Sequence, residues 1–108
     1  MIKISVYKTK DGKSPYYEWL EELDIGTQAI IESRMARVRM GNFGAHKIVK
    51  GGNGFYELIF DYGPGYRIYY GKKGLSSVIL INAGDKGSQR RDIAKAYRYW
   101  QECKELST

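Results

Sequence analysis

Glu57, Arg67 and Lys86 are the residues whose types best suit shared chemistry in this chain. A carboxylate can take a proton from a nucleophile, and two cations can stabilise charge that develops on the non-bridging oxygens of a phosphate ester. The three lie on different segments of a stretch from Phe55 to Ile93, so their meeting depends on strand register and on one loop.

Side chains alternate along a strand, so Glu57 and Ile59 point one way while Tyr56, Leu58 and Phe60 point the other. Leu58 and Phe60 suit the core, which leaves Glu57 facing solvent on the open side of a sheet. On the return strand Ile68 and Tyr70 suit the core, leaving Arg67 and Tyr69 on the outer face. With Glu57 opposite Tyr69, Ile59 falls opposite Arg67, and Glu57 and Arg67 become diagonal neighbours. A slip of one residue would separate them. The alternative for the pair is a cross-strand ion pair that merely solubilises the sheet.

The elements that must carry these residues are legible in outline. Ile2, Ile4 and Val6 alternate with Lys3, Ser5 and Tyr7, a strand with one buried face. Ser14-Pro15 reads as an N-cap followed by proline in the first helical turn, and Tyr16, Trp19, Leu20 and Leu23 make one helical stripe. Asp24 is placed to cap a second helix running to about Met40 before Gly41-Asn42. The glycine-rich segment from Asn42 to Gly54 reads as a loop. Strands follow over Phe55–Phe60 and Tyr66–Tyr70, joined by Tyr62-Gly63-Pro64-Gly65, and over Val78–Asn82, an apolar run suited to a central strand. Ala83 to Gly87 reads as a loop. A final helix from Ser88 sets Ile93, Ala96, Tyr97 and Trp100 on one face. The expected fold is α+β in the order β-α-α-β-β-β-α, a single domain over residues 1–108 with an antiparallel sheet of about four strands, an N-terminal helical hairpin and a C-terminal helix.

The loop Gly84-Asp85-Lys86-Gly87-Ser88 opens that last helix, whose first backbone N–H groups form an expected anion site beside Lys86. Tyr62, Tyr66 and Tyr69 sit near enough to stack bases. Arg34, Arg37, Arg39, Arg90, Arg91 and Arg98 suit either a phosphate track or ordinary solvated helix faces. His46 is the single histidine and Cys103 the single cysteine, so no thiolate cluster or histidine-rich metal set can be assembled. No metal, serine–histidine–acid or P-loop pattern is visible. RNA suits an acid-and-cation set, because its own 2′-hydroxyl attacks the adjacent phosphate once held in line.

Composition agrees with an anionic partner. Eighteen Lys and Arg face twelve Asp and Glu, a formal net charge of +6 on 108 residues, with 43% hydrophobic and 14% aromatic content. That is a folded domain favouring nucleic acid first and an acidic protein second. The start, MIKISVYK, lacks the unbroken apolar stretch of a signal peptide, and no segment approaches the roughly 20 apolar residues of a membrane span. The expected compartment is the cytoplasm, with no membrane partner.

With Glu57-Leu58, the run Asp61-Tyr62-Gly63-Pro64-Gly65-Tyr66-Arg67 and the run Gly84 to Gln89 through Asp92-Ile93-Ala94 in view, the chain resembles the RelE/ParE toxin superfamily. It is most similar to the HigB-type "addiction module killer" branch of type II toxin–antitoxin systems, over essentially its whole length. The resemblance implies ribosome-dependent mRNA cleavage with inhibition of translation, no cofactor, and neutralisation by a HigA-like helix-turn-helix antitoxin. Arg67 matches a strand arginine that stabilises the scissile phosphate, and Lys86 matches a basic residue after the last strand. Where relatives carry strand lysines this chain has Glu57 and Ile59, and Ile93 stands near the place of a helix tyrosine. The expected set is therefore Glu57 as base, Arg67 and Lys86 as charge stabilisers, and His46 or Lys47 assisting from the glycine-rich segment. Lys47, Lys50, Tyr69, Ser88, Arg90 and Arg91 are expected to bind RNA. A ParE-like gyrase inhibitor and an antitoxin-binding module without activity are the alternatives within the same superfamily.

Overall fold

β1 (Lys3–Val6) begins the chain, and its alternating residues lie beside a strand more than seventy residues away. The computed structural model of the protein describes residues 1–106. After β1 come α1 (Pro15–Glu21) and α2 (Ile25–Arg39), then β2 (His46–Ile48), β3 (Phe55–Phe60), β4 (Tyr66–Lys72), β5 (Ser77–Asp85), one turn of 3-10 helix (Lys86–Ser88) and α3 (Gln89–Leu106). The α+β class is as expected. The sheet differs from the expected four antiparallel strands, because it has five strands in the order β1-β5-β4-β3-β2 with β1 parallel to β5. The helical pair α1–α2 carries the chain away from β1, so β1 needs no hairpin and accepts a parallel partner. β2 falls within the segment expected to be a loop, where three exposed residues pair antiparallel with β3.

Both helical starts follow their capping chemistry. The Ser14 Oγ accepts from the Tyr17 N–H at 3.2 Å with Pro15 at the first position of α1. Asp24 accepts from the Thr27 N–H at 3.1 Å and from its hydroxyl at 2.6 Å, satisfying donors that the helix itself leaves open.

The sheet is covered on both faces. Tyr16, Leu20, Ile31, Met35 and Val38 from α1 and α2 pack against Leu58, Phe60, Ile68, Tyr70 and Leu80. On the other face Ala96, Trp100 and Cys103 of α3 pack against Phe55, Tyr69, Ile79 and Ile81. Double coverage explains the unbroken apolar run in β5. It also corrects two expectations: the outer face of β3 and β4 is not open, and Tyr97 turns to the exposed flank of α3 instead of its packed face. Gly71 lets the Trp100 ring lie directly on β4, since a Cβ there would overlap the ring.

Arg34, counted among the phosphate-track candidates, is a structural residue. It is buried, and its guanidinium donates to the carbonyls of Phe43 (3.0 and 2.8 Å), Ala45 (2.7 Å) and Ile59 (2.9 Å). It thereby ties α2 to the β2–β3 edge and serves backbone acceptors there, of which the Ala45 carbonyl also accepts from the Ile59 N–H of β3 at 2.9 Å.

Between β4 and β5 the register shifts: Tyr69 pairs with Asn82 but Tyr70 pairs with Leu80, so Ile81 is an extra residue. This β-bulge leaves Ile81 and Asn82 both on the α3 side, Ile81 in the packed cluster and Asn82 donating to the Asp92 carbonyl.

Candidate functional site

β3 and β4 pair in the register on which the meeting depends: Glu57 lies opposite Tyr69 and Ile59 opposite Arg67. The diagonal neighbours meet, with Arg67 Nε 3.6 Å from Glu57 Oε1. β2 adds Lys47 directly opposite Glu57, its Nζ 3.9 Å from the same oxygen. Gln89, the first residue of α3, reaches Glu57 Oε2 with its amide nitrogen at 3.5 Å. The carboxylate is thus encircled from three elements, and Glu57 is 2% exposed, where a solvent-facing residue was expected. The cause is α3, whose N-terminal turn lies over that part of the sheet.

The carboxylate forms part of the wall of a cleft of about 310 Å³ between β2 and α3, lined also by Lys47, Lys50, Gln89 and Ile93. Glu57 Oε1 and Arg67 Nε are buried, and neither makes a hydrogen bond among the described residues. One is an acceptor lacking a donor, the other a donor lacking an acceptor, and they stand side by side.

Lys86 reaches the same region by a different route. β5 runs to Asp85, three residues beyond the expected end of the strand at Asn82, and the Lys86 N–H donates to the Gly65 carbonyl at 2.7 Å. Gly65, at φ +79°, sits between the cations: a Cβ there would lie 3.6 Å from Lys86 Cβ and 3.8 Å from Arg67 Nη1. Arg67 Nη1 also donates to the Tyr66 carbonyl at 3.1 Å, which fixes the guanidinium against the turn. The β3–β4 turn and the start of the 3-10 turn therefore hold Arg67 and Lys86 together.

The expected anion cradle at the helix start is filled from within the chain. Asp85 Oδ1 accepts from the Gly87 N–H at 2.8 Å and the Ser88 N–H at 3.1 Å, so those donors serve a carboxylate of their own turn. Positive charge at this end comes instead from side chains: Lys86, Arg90 and Arg91 are all exposed.

Several other expected site residues lie elsewhere. His46 pairs with Leu58, so it shares the opposite face from Glu57; its Nδ1–H donates to the Gly44 carbonyl at 2.7 Å and its ring centroid is 5.8 Å from Phe43. Tyr69 is fully buried beneath α3 and has no exposed ring on which a base could stack. Burial first, and the charges of Glu57 and Asp92 second, push its hydroxyl well above the ordinary phenol range. Ser88 turns its hydroxyl to the Asp92 carboxylate, on the side of α3 that faces α1. Of the turn tyrosines, Tyr62 remains 43% exposed, while Tyr66 packs edge-on against Trp19 at 5.8 Å. Lys50 does line the Glu57 cleft. Gln89 carries no role in the sequence reading; its signal was position, the first residue of a helix that must start beside the last strand.

The arrangement is a buried carboxylate ringed by cations, with a second cation group on an exposed turn. It can bind an anion at Arg67 and Lys86 and accept a proton at Glu57. No family model matches the chain. An uncharacterized protein of Haemophilus influenzae strain Rd is 40% identical to it over 85 residues, a span covering 78% of this chain and 84% of that protein. The chain belongs to the same family as this Haemophilus influenzae protein.

Proposed function

We propose that this protein is the toxin of a type II toxin–antitoxin module, a HigB-like member of the RelE/ParE superfamily. In this reading it is a metal-independent endoribonuclease that cleaves mRNA on the ribosome, and a HigA-like helix-turn-helix antitoxin neutralises it. The helical hairpin and C-terminal helix around one sheet support the reading at the level of architecture. The observation that carries it is the side-by-side pair of Glu57 Oε1 and Arg67 Nε, 3.6 Å apart and each without a hydrogen bond, next to Lys86. A ribose 2′-hydroxyl and the phosphate adjoining it would supply the missing donor and the missing acceptor together.

The reaction follows from those roles. The 2′-hydroxyl gives its proton to Glu57 as its oxygen attacks the adjacent phosphorus. Arg67 and Lys86 stabilise the charge on the non-bridging oxygens of the phosphorane-like transition state. The bond from phosphorus to the 5′-oxygen breaks, leaving a 2′,3′-cyclic phosphate and a 5′-hydroxyl. Entry to Glu57 runs past Lys47, whose side chain is 64% exposed. Swinging Lys47 toward the leaving 5′-oxygen opens the path and brings it a proton donor. His46, on the other face, has no part.

The test is a translation extract programmed with one mRNA and read by primer extension. New 5′ ends that appear only with ribosomes, and vanish for Arg67→Ala, are the expected result. An intact message together with gyrase-dependent DNA breaks would replace this reading with a ParE-like one.

A further inference from the structure

On the opposite flank of α3 the chain reverses its electrostatic character. Two adjoining clefts of about 360 and 450 Å³ run between α1 and α3 and share Glu18, Ala83, Asp92 and Lys95. Five carboxylates line them, Asp11, Glu18, Glu22, Asp85 and Asp92, against three cations, Lys13, Arg91 and Lys95. The groove is thus net negative on a chain of formal charge +6.

Its floor holds a polar group without a partner. Asn82 lines the groove at 4% exposure, placed there by the bulge in β5. Its Nδ2 donates to the Asp92 carbonyl at 3.0 Å, which fixes the amide orientation and leaves Oδ1 as an acceptor with no donor among the described residues. The Thr9 hydroxyl oxygen, on the same wall, is buried and without a partner as well. Buried acceptors beside carboxylates call for a cationic group carrying several N–H donors.

We propose that this groove binds an arginine side chain presented on a peptide segment of a partner protein. A guanidinium is planar and offers a fork of donors, so it can serve the Asn82 amide oxygen and a neighbouring carboxylate at once. Tyr99 lines the same cleft and gives an aromatic surface that a weakly hydrated guanidinium favours. One guanidinium does not fill two adjoining clefts, and the remaining length accommodates the flanking peptide. The groove repels a polyanion, so the inference stands independently of the RNA reading.

The test titrates isotope-labelled full-length protein with the tripeptide N-acetyl-Gly-Arg-Gly-amide, its citrulline counterpart and arginine amide, following backbone amide shifts. Saturable shifts centred on residues 82, 92 and 95 are expected with the arginine tripeptide, and the neutral citrulline peptide should bind about ten-fold more weakly or worse. Glu18→Gln, on an exposed helix position, should weaken the tripeptide about two- to five-fold with the melting temperature unchanged. Equal binding by the citrulline peptide, shifts scattered away from the groove, or no saturable shift would overturn the proposal. Arginine amide binding as tightly as the tripeptide would also overturn it, since the ligand would then be a small molecule.

Discussion

The backbone N–H of Lys86 donates to the carbonyl of Gly65 across 2.7 Å, which couples the turn after β3 to the turn after β5. Arg67 and Lys86 are therefore carried by two turns that are tied to each other, and their spacing does not depend on either long side chain finding the other.

Arg67→Ala should lower the mRNA cleavage rate by about 10²- to 10³-fold, the usual loss when one preorganised charge stabiliser is removed. Lys86→Ala should cost less, about ten-fold, because an exposed ammonium is partly replaced by water. Arg67→Lys should not restore the rate, since a point charge cannot hold the Tyr66 carbonyl and a phosphate oxygen together. Single-turnover cleavage of one message by ribosomes and each variant measures all three.

Glu57→Gln removes the negative charge between Arg67 and Lys47 while keeping the shape of the side chain. Arg67 has 13% of its side chain exposed, so its charge loses its partner in a nearly closed setting. The expected cost is about 1–3 kcal/mol of folding stability, read from urea denaturation. Lys47→Ala, which removes the well-exposed partner, should change stability by less than about 0.5 kcal/mol. A larger loss for Lys47 than for Glu57 would contradict the charge arrangement described.

Arg34→Met keeps much of the apolar stem but takes the guanidinium from the carbonyls of Phe43, Ala45 and Ile59, of which Ala45 alone keeps the Ile59 N–H as a donor. A loss of about 2–4 kcal/mol is expected from thermal or chemical unfolding, with nucleic-acid affinity of the folded fraction unaltered. A stable variant with weakened RNA binding would return Arg34 to the phosphate track.

Asp24 gives a pH dependence of known sign. The side-chain hydrogen bond from Thr27, followed by the Thr27 N–H, holds its carboxyl below the ordinary carboxylate range. The folded state therefore binds this proton less readily than the unfolded chain. Its stabilisation is complete above the unfolded value of about 3.9 and is lost as the pH falls through the lowered folded value. Melting temperatures across the acid range should fall less steeply for Asp24→Ala than for the native chain. The two curves should run parallel near neutrality, with the variant lower.

The faces of β3 and β4 were legible, because Leu58, Phe60, Ile68 and Tyr70 must share the buried side and so set Glu57 and Arg67 on the other; the register that makes those two diagonal neighbours was not, since a slip of two residues buries the same four. The burial of Glu57 was not, since it depends on where α3 docks, a contact between residues 32 positions apart in the case of Gln89. The apolar run in β5 held the missing clue: a strand buried on both faces requires a second layer, and only α3 remained to supply it. β2 escaped notice because three residues among glycines carry no periodicity. The parallel pairing of β1 with β5 leaves no local trace in either strand. The Asp85 contacts that fill the helix start are ordinary capping chemistry, and the residue type at that position was their visible signal.

The extra residue at Ile81 has a consequence for how the chain tolerates length changes. Upstream of it, β5 is in step with β1 and the far end of β4; downstream it is in step with the Tyr66–Arg67 end. The strand is two half-strands joined half a repeat out of phase. Deleting Ile81 would make Leu80 and Asn82 neighbours, and both halves would keep their partners, Leu80 opposite Tyr70 and Asn82 opposite Tyr69, on the faces they occupy now. The bulge is thus a place in β5 where a codon can be lost without exchanging the faces on which Lys86 and the groove-lining Asn82 stand; the loss is the Ile81 side chain packed beneath α3, and the two opposed surfaces, one cationic and one anionic, persist.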